Sequence, residues 1–408
     1  MAIQFKQEQL PNGLTVIAEC NDQAHTAAVG FFVRAGARDE DTSVMGVSHF
    51  LEHMMFKGTD RRSADDVNRQ FDEIGADYNA FTSQENTVYY ARVLPEFLPS
   101  AVDLFGDMLR PALRQDDFEV EKKVIIEEIG MYDDRPQWRL HDTLMERHFG
   151  DHPLGYRVLG TVESIQVLAV DQMRSYFDHR YSPDNIVVAA AGRVDFSRLV
   201  ADVAKLTGSW QPTGAVRDHR QPQFKSQAQM IVDESLTRHY LAAICPAPSA
   251  QDERRYAAGV LVDVLGDSEG SRLYWALVDP GLSDEADLAH HAGDGTGSYV
   301  AYASCDPERA AQVEQILLET IDSYRRQIDP SEIERAKNKL ATAATLQGEN
   351  PAGRMRHLGG QWTYLGEYTP LAEELGRIMA VTVDDVERLL DEMPFGPRTI
   401  VRLGPEHG

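Results

Sequence analysis

Over the first ninety positions the apolar residues fall in short β-rich runs and then change to a helical spacing. Leu14–Cys20 and Ala27–Arg34 predict strands, and Asn12-Gly13 supplies a turn before the first. Between Ser43 and Gly58, the residues Val47, Phe50, Leu51, Met54 and Met55 recur at i, i+3, i+4, i+7 and i+8, the buried stripe of an amphipathic helix. Thr42 or Ser43 is expected to cap its start and Gly58 to end it. A strand pair is predicted at Ala76–Thr82 and Thr87–Val93, separated by the polar Gln84-Glu85-Asn86. Helical spacing returns over Leu98–Leu109 and Asp117–Tyr132, and Ile186–Gly192 reads as another strand.

From Gly208 to Phe224 the chain is rich in Pro, Gln and Arg and poor in aliphatic residues, which predicts a linker. The expected organisation is therefore a domain over 1–208, a linker over 209–224 and a domain over 225–408. The second part opens as the first does, with strands at Met230–Asp233 and Tyr240–Cys245 and then a helix at Tyr256–Leu265. A shift of 213 residues places Gly46 on Gly259 and keeps these elements in step, so an internal duplication is predicted. On that shift His49, Glu52 and His53 fall on Val262, Leu265 and Gly266, which confines any metal chemistry to the first copy.

With 408 residues, 42% of them hydrophobic and 26% charged, the chain has the proportions of a soluble two-domain globular protein, and wholesale disorder is excluded. Forty Lys and Arg against 65 Asp and Glu leave a net charge of −25, which repels nucleic-acid phosphates and anionic lipid. No nucleic-acid partner is expected. No run of the sequence reaches the length of a membrane span, and the N-terminus lacks a basic start followed by an apolar run, so no membrane association is expected. The three cysteines, Cys20, Cys245 and Cys305, form neither a CxxC motif nor a disulfide framework. A reducing, cytoplasmic setting is the expectation.

Candidate chemistry lies on the first amphipathic helix, in Ser48-His-Phe-Leu-Glu-His53, an H-x-x-E-H pattern. Residues four apart on a helix differ by about 40° around its axis and one turn along it, so His49 and His53 present two imidazoles to one point. That is the bite Zn²⁺ takes from two nitrogen ligands. Glu52 reaches the same edge and can take a proton from a zinc-bound water without being a ligand. With 13 His in the chain, the pattern arises by chance only about 0.03 times in a sequence of this composition.

A catalytic zinc takes three protein ligands and leaves a fourth position open. Glu121 and Glu128, seven apart on the predicted helix Asp117–Tyr132, share a face to within about 20°. Glu128 follows Val124 and Ile125 at i−4 and i−3, whereas Glu127 follows Lys123 and Val124, so Glu128 is the expected third ligand. Glu121 is then one layer out, orienting a ligand or the helix. The competing expectation is a solvated acidic face paired with Lys122 and Lys123.

These residues resemble the inverzincin metallopeptidases of family M16, of the pitrilysin, insulin-degrading and mitochondrial-processing-peptidase type. Gly46-Val-Ser-His-Phe-Leu-Glu-His-Met-Met-Phe-Lys-Gly-Thr59 is similar to that family's metal helix, and Glu121–Ile129 to its second metal segment. Asn79–Ser83, Leu159–Thr161, Tyr181–Ile186 and Gly270–Leu273 also match, so the resemblance spans nearly the whole chain. It implies an α+β fold of two similar domains, each a mainly antiparallel sheet packed with helices. It implies Zn²⁺, one per chain, held by His49, His53 and Glu128, with Glu52 as the catalytic base and Glu121 as the accessory glutamate. It also implies a role for Asn79, Ala80 and Phe81, the strand edge that pairs with a peptide backbone beside the zinc. An ordinary core strand is the other expectation for Phe81.

The chain departs from the family at one place. Members that clamp substrate with their second half carry an Arg and a Tyr after the S-R-L segment, where this chain has Leu277 or Val278 and then Asp284. The leading expectation is a zinc metalloendopeptidase (EC 3.4.24 type) that hydrolyses short or unfolded peptides and closes as a dimeric clamshell. The partner is then a second copy or a zinc-less homologous chain that supplies the missing Arg and Tyr. The alternative is a non-catalytic or weakly active structural or peptide-binding subunit of a larger complex. His290 and His291, being adjacent, cannot aim at one ion and are expected to be surface or loop histidines.

Overall fold

The computed structural model describes residues 3–406. It divides into two compact units, one formed by residues up to Met131, Tyr156–Asp218 and Leu346–Tyr368, the other by Tyr132–Gly155, His219–Thr345 and the chain from Thr369 on. The units are interleaved in sequence, because 132–155 and 346–368 each group with the half of the chain to which they do not belong by position. Residues 209–226 carry no regular secondary structure. A boundary at 209–224 corresponds to one of these crossings and stays a proposal for where the two homologous copies meet.

The first unit is built on a six-stranded sheet of β1 (Gln4–Gln9), β2 (Thr15–Cys20), β3 (Ala27–Val33), β4 (Asp77–Thr82), β5 (Thr87–Val93) and β6 (Ile186–Gly192). Its order is β1-β2-β6-β3-β5-β4, antiparallel except for the parallel pair β2 and β6. The second unit contains β7 (Gln227–Val232), β8 (His239–Ala247), β9 (Glu285–Ala292), β10 (Gly297–Cys305) and β11 (Thr399–Gly404). Its order, β7-β11-β8-β10-β9, is that of β2-β6-β3-β5-β4 strand for strand, and its one parallel pair, β7 with β11, is the counterpart of β2 with β6. A shift of 213 residues carries β3 onto 240–246, inside β8, and β6 onto 399–405, over β11. The fold is α+β, and the two sheets are copies of one plan.

In the first unit, α1 (Val47–Met55), α2 (Ala64–Glu73), α3 (Leu98–Met108) and α4 (Gln115–Asp133) join one apolar cluster with alternate residues of the sheet, among them Val16, Val29, Phe31, Tyr89 and Val188. The opposite residues, Ile17, Phe32, Val88 and Val187, pack with the helix Pro351–Leu365, which arrives from the far end of the sequence. A glycine at 359 makes that contact possible, since a Cβ there would lie 2.2 Å from the Phe32 ring.

The start of α1 differs from the expectation. Thr42 and Ser43 lie outside the helix, whose N-cap is Gly46 at φ +89°. A Cβ at Gly46 would meet the Leu159 carbonyl oxygen at 2.6 Å, so only glycine fits this approach. The first amides are capped by a distant side chain, Glu40, which accepts from Gly46 N at 2.7 Å and Ser48 N at 2.8 Å. Gly58 is not the end of the helix, which is capped by Phe56; it forms a bridge with Ser63 instead. His290 corrects the expectation in part: both histidines lie on the strand β9 and not in a loop, and His290 is half-buried with Nε2 2.8 Å from the Pro248 carbonyl oxygen, whereas His291 is exposed at the surface. Among the described residues, no helix is long and apolar enough to cross a membrane.

Candidate metal centre

The face of α1 that carries Val47, Phe50, Leu51, Met54 and Met55 is buried in the core, which leaves His49, Glu52 and His53 on the other side. Phe50 stacks on Phe118 with ring centroids 4.6 Å apart, and this contact seats α4 beside α1. On α4, Ile125 and Ile129 point into the core while Glu127 is exposed and Glu128 half-buried. Val124, which the sequence argument set above Glu128, is exposed at 42%, so the bias toward Glu128 comes from Ile125 and not from Val124.

His49, His53 and Glu128 each place one ligand atom within 4.8 Å of the others. Glu128 Oε2 lies 3.8 Å from His49 Nε2 and 3.6 Å from His53 Nε2, and the two imidazoles are 4.7 Å apart at 61°. A tetrahedral zinc with these ligand types separates its donors by roughly 3.4 Å, close to the spacing found. Glu128 Oε2 is buried and makes no hydrogen bond, an unmet acceptor that a cation satisfies. Two imidazoles and a carboxylate are a donor set suited to zinc, and these residues fit the ion.

The surrounding contacts order the site. His53 Nδ1 lies 2.8 Å from Glu121 Oε1, which leaves Nε2 toward Glu128. Glu121 is 3% exposed, and Lys57 Nζ lies 2.5 Å from its second oxygen. Lys122 is bonded to the carbonyls of Gln166 and Leu168, so it does not serve as the glutamates' counter-ion. Glu52 Oε2 accepts a hydrogen bond from Thr82 Oγ1 at 2.6 Å.

Burial, and then the neighbouring His53, hold the His49 pKa down at about 3, so this imidazole is neutral and its lone pair available. Burial also works against protonation of His53, but the Glu121 hydrogen bond and the charges of Glu128, Glu121 and Glu52 outweigh it and raise its pKa. Glu121 moves the other way: burial raises it, and the bonds from His53 and Lys57 more than reverse this. Burial pushes Glu52 above the usual carboxylate range, and the Thr82 bond opposes that only in part.

Beside the centre, β4 is an edge strand with alternating exposure: Asn79 and Phe81 face outward, while Tyr78, Ala80 and Thr82 are half-buried. Phe81 is 42% exposed, which contradicts the core-strand expectation for its side chain. The Ala80 N–H donates to Asn79 Oδ1 at 2.8 Å, on the side of the strand away from β5. In the second unit, Leu277 is fully buried, Val278 packs against the core, and Asp284 is ion-paired with Arg238. Thr82 and Lys57 were not among the residues expected at the site. Strand alternation, which sets Thr82 opposite Phe81, and the position of Lys57 one turn beyond His53 were the available signals.

Comparison with known proteins points the same way. Residues 15–162 match the family model described as Insulinase (Peptidase family M16), and residues 168–340 the model described as Peptidase M16 inactive domain. The chain is 36% identical over 414 residues to an uncharacterized zinc protease of Mycobacterium tuberculosis, covering 100% of this chain and 94% of the relative. It is 32% identical over 392 residues to an uncharacterized zinc protease of Bacillus subtilis, covering 95% of each. Among solved structures, a protease from Helicobacter pylori has a TM-score of 0.91 at 20% identity, covering 99% of this chain and 100% of the other. A peptidase M16 inactive domain from Pseudomonas fluorescens has the same score, 0.91, at 19% identity, covering 99% and 98%.

Proposed function

This chain belongs to peptidase family M16 and is a zinc metallopeptidase, and on that premise we propose that it is an endopeptidase acting on short or unfolded peptides, with His49, His53 and Glu128 as its zinc ligands. The observation that carries this is the convergence of the three donors within 4.8 Å around a buried carboxylate oxygen with no other partner. Bound zinc supplies a Lewis acid that polarises the peptide carbonyl and acidifies water.

The rest is done by this chain's own groups. Glu52, held by Thr82 on the same side of α1 as the ligands, takes the proton of the attacking water and returns it to the departing amine. Glu121 holds His53 in the tautomer that presents Nε2. The open edge of β4 at Asn79, Ala80 and Phe81 receives the substrate as an added strand through main-chain hydrogen bonds, which are indifferent to side-chain identity.

A second reading concerns the subunit role. Val278 and Asp284 supply neither the cation nor the phenol that clamps substrate in the resembling enzymes, and Asp284 is already paired with Arg238. This favours a zinc-bearing chain that works with a zinc-less homologous partner contributing an Arg and a Tyr, since a second copy carries the same Val278 and Asp284 and would pair without supplying them. The test is cleavage of a quenched fluorescent peptide library by the wild type and Glu52→Gln, with zinc content measured in each. Cleavage by the wild type alone, with zinc in both, supports the endopeptidase and Glu52 as base. Zinc in both without cleavage by either supports the partner-dependent reading, and a wild type that takes up no zinc overturns the ligand assignment.

A further inference from the structure

We propose that Lys57 is a positioning residue of the metal site: it fixes the orientation of the Glu121 carboxylate and, through it, the ring nitrogen that His53 turns to the metal. The inference rests on the zinc reading above. Lys57 stands four residues after His53, just past the Phe56 cap of α1. Its backbone is tied at both ends, the N–H donating to the Met54 carbonyl at 3.1 Å and the C=O accepting from Arg114 Nη1 at 3.3 Å. Its ammonium is therefore delivered from a fixed stem to a point 2.5 Å from Glu121 Oε2, while Glu121 Oε1 lies 2.8 Å from His53 Nδ1.

A lone carboxylate can rotate and offer either oxygen. With Oε2 in ion-pair contact with Lys57, Oε1 is the oxygen that faces the imidazole, and with Nδ1 donating to it the lone pair of His53 lies on Nε2, the nitrogen 3.6 Å from Glu128. Three carboxylates, Glu52, Glu121 and Glu128, crowd two imidazoles here, and among the described residues Lys57 is the one lysine or arginine in ion-pair contact with any of them. The duplicated half supplies a contrast. The shift of 213 puts Gly270 at the place of Lys57 and keeps a glutamate, Glu334, at that of Glu121; with no histidine to orient, Glu334 pairs instead with Lys337 at 2.7 Å.

The test is titration of the full-length apo protein with Zn²⁺ in competition with a chromophoric chelator, for the wild type, Lys57→Met, Lys57→Arg, Glu121→Gln and the double variant Lys57→Met/Glu121→Gln. The Lys57 side chain is 35% exposed, so truncating its charge opens no core cavity, and circular dichroism checks that each variant folds. Lys57→Met is expected to bind zinc about tenfold more weakly, the lower end of what outer partners of a metal-bound histidine command. Lys57→Arg should recover most of that loss, and the double variant should be no weaker than Glu121→Gln alone, because Lys57 acts through Glu121. Wild-type affinity in Lys57→Met, or losses that add in the double variant, overturn the proposal while leaving the zinc site standing. A wild type that binds no zinc, or a His53→Ala variant that binds as tightly as wild type, removes the zinc reading and this inference with it.

Discussion

Thr82, on the edge strand β4, donates its hydroxyl proton to Glu52, on α1, across 2.6 Å. The bond ties the candidate base to the strand whose open edge is proposed to hold the substrate, so a peptide that shifts β4 also shifts the proton acceptor. Thr82→Val keeps the shape and removes the donor. It is expected to lower kcat about tenfold or more while zinc content stays at the wild-type level. Steady-state kinetics beside metal analysis checks this, and an unchanged kcat would sink the coupling.

The strand edge can be tested without touching the metal. The Ala80 N–H faces away from β5 and is bonded only to its neighbour's side chain, so Ala80→Pro removes no rung of the β4–β5 ladder. It does remove a donor that an added peptide strand needs. The expected outcome is a fall in kcat/KM of about tenfold or more with zinc affinity unchanged.

The far side of the first sheet depends on a close approach. Replacing Gly359 by Ala drives a methyl into the Phe32 ring, which is itself 3% exposed and hemmed in by Met355 and Leu358. A destabilisation of about 1–3 kcal/mol is expected, read as a lower urea midpoint with an unchanged slope.

Glu19 and Arg354, with side chains 2% and 6% exposed, form a buried pair that joins β2 to the helix Pro351–Leu365, and Tyr368 adds a hydrogen bond to Glu19 at 2.8 Å. Arg354→Met leaves the carboxylate buried without its cation. The expected cost is about 3–5 kcal/mol, and the double change Glu19→Leu/Arg354→Met should recover much of it in a denaturation cycle.

His148 gives the second unit a pH dependence. Burial holds its pKa down from 6.5 to about 4, in a site where Nδ1 lies 3.2 Å from Thr399 Oγ1 and the ring stacks on Phe224. The folded state keeps it neutral while the unfolded chain takes up a proton below about pH 6.5. Its stabilising contribution is therefore complete above that pH and is lost as pH falls through about 4. Urea midpoints at pH 7.5 and 4 should differ by an amount that shrinks in His148→Phe, by no more than about 3 kcal/mol.

The two-histidine bite was legible in the sequence, because a spacing of four on a helix is a property of neighbouring residues and needs no knowledge of the rest of the chain. The same holds for the strands around Ala27 and Thr87 and for the repeat at a shift of 213, which rests on the order of local elements. The choice of Glu128 over Glu127 was less secure, since Val124, half of the argument for it, proved to be exposed. Only the tertiary structure decided which oxygen of Glu121 meets His53, that Lys57 holds the other, and that Thr82 reaches Glu52. It alone decided that Glu40 starts α1, and that a helix from residues 351–365 closes the far side of a sheet begun near the N-terminus. These contacts join residues up to several hundred positions apart. Local spacing sets which way a side chain leaves its own helix or strand, but the partner it meets depends on how separate elements pack, and burial selects among arrangements that the local pattern leaves equivalent.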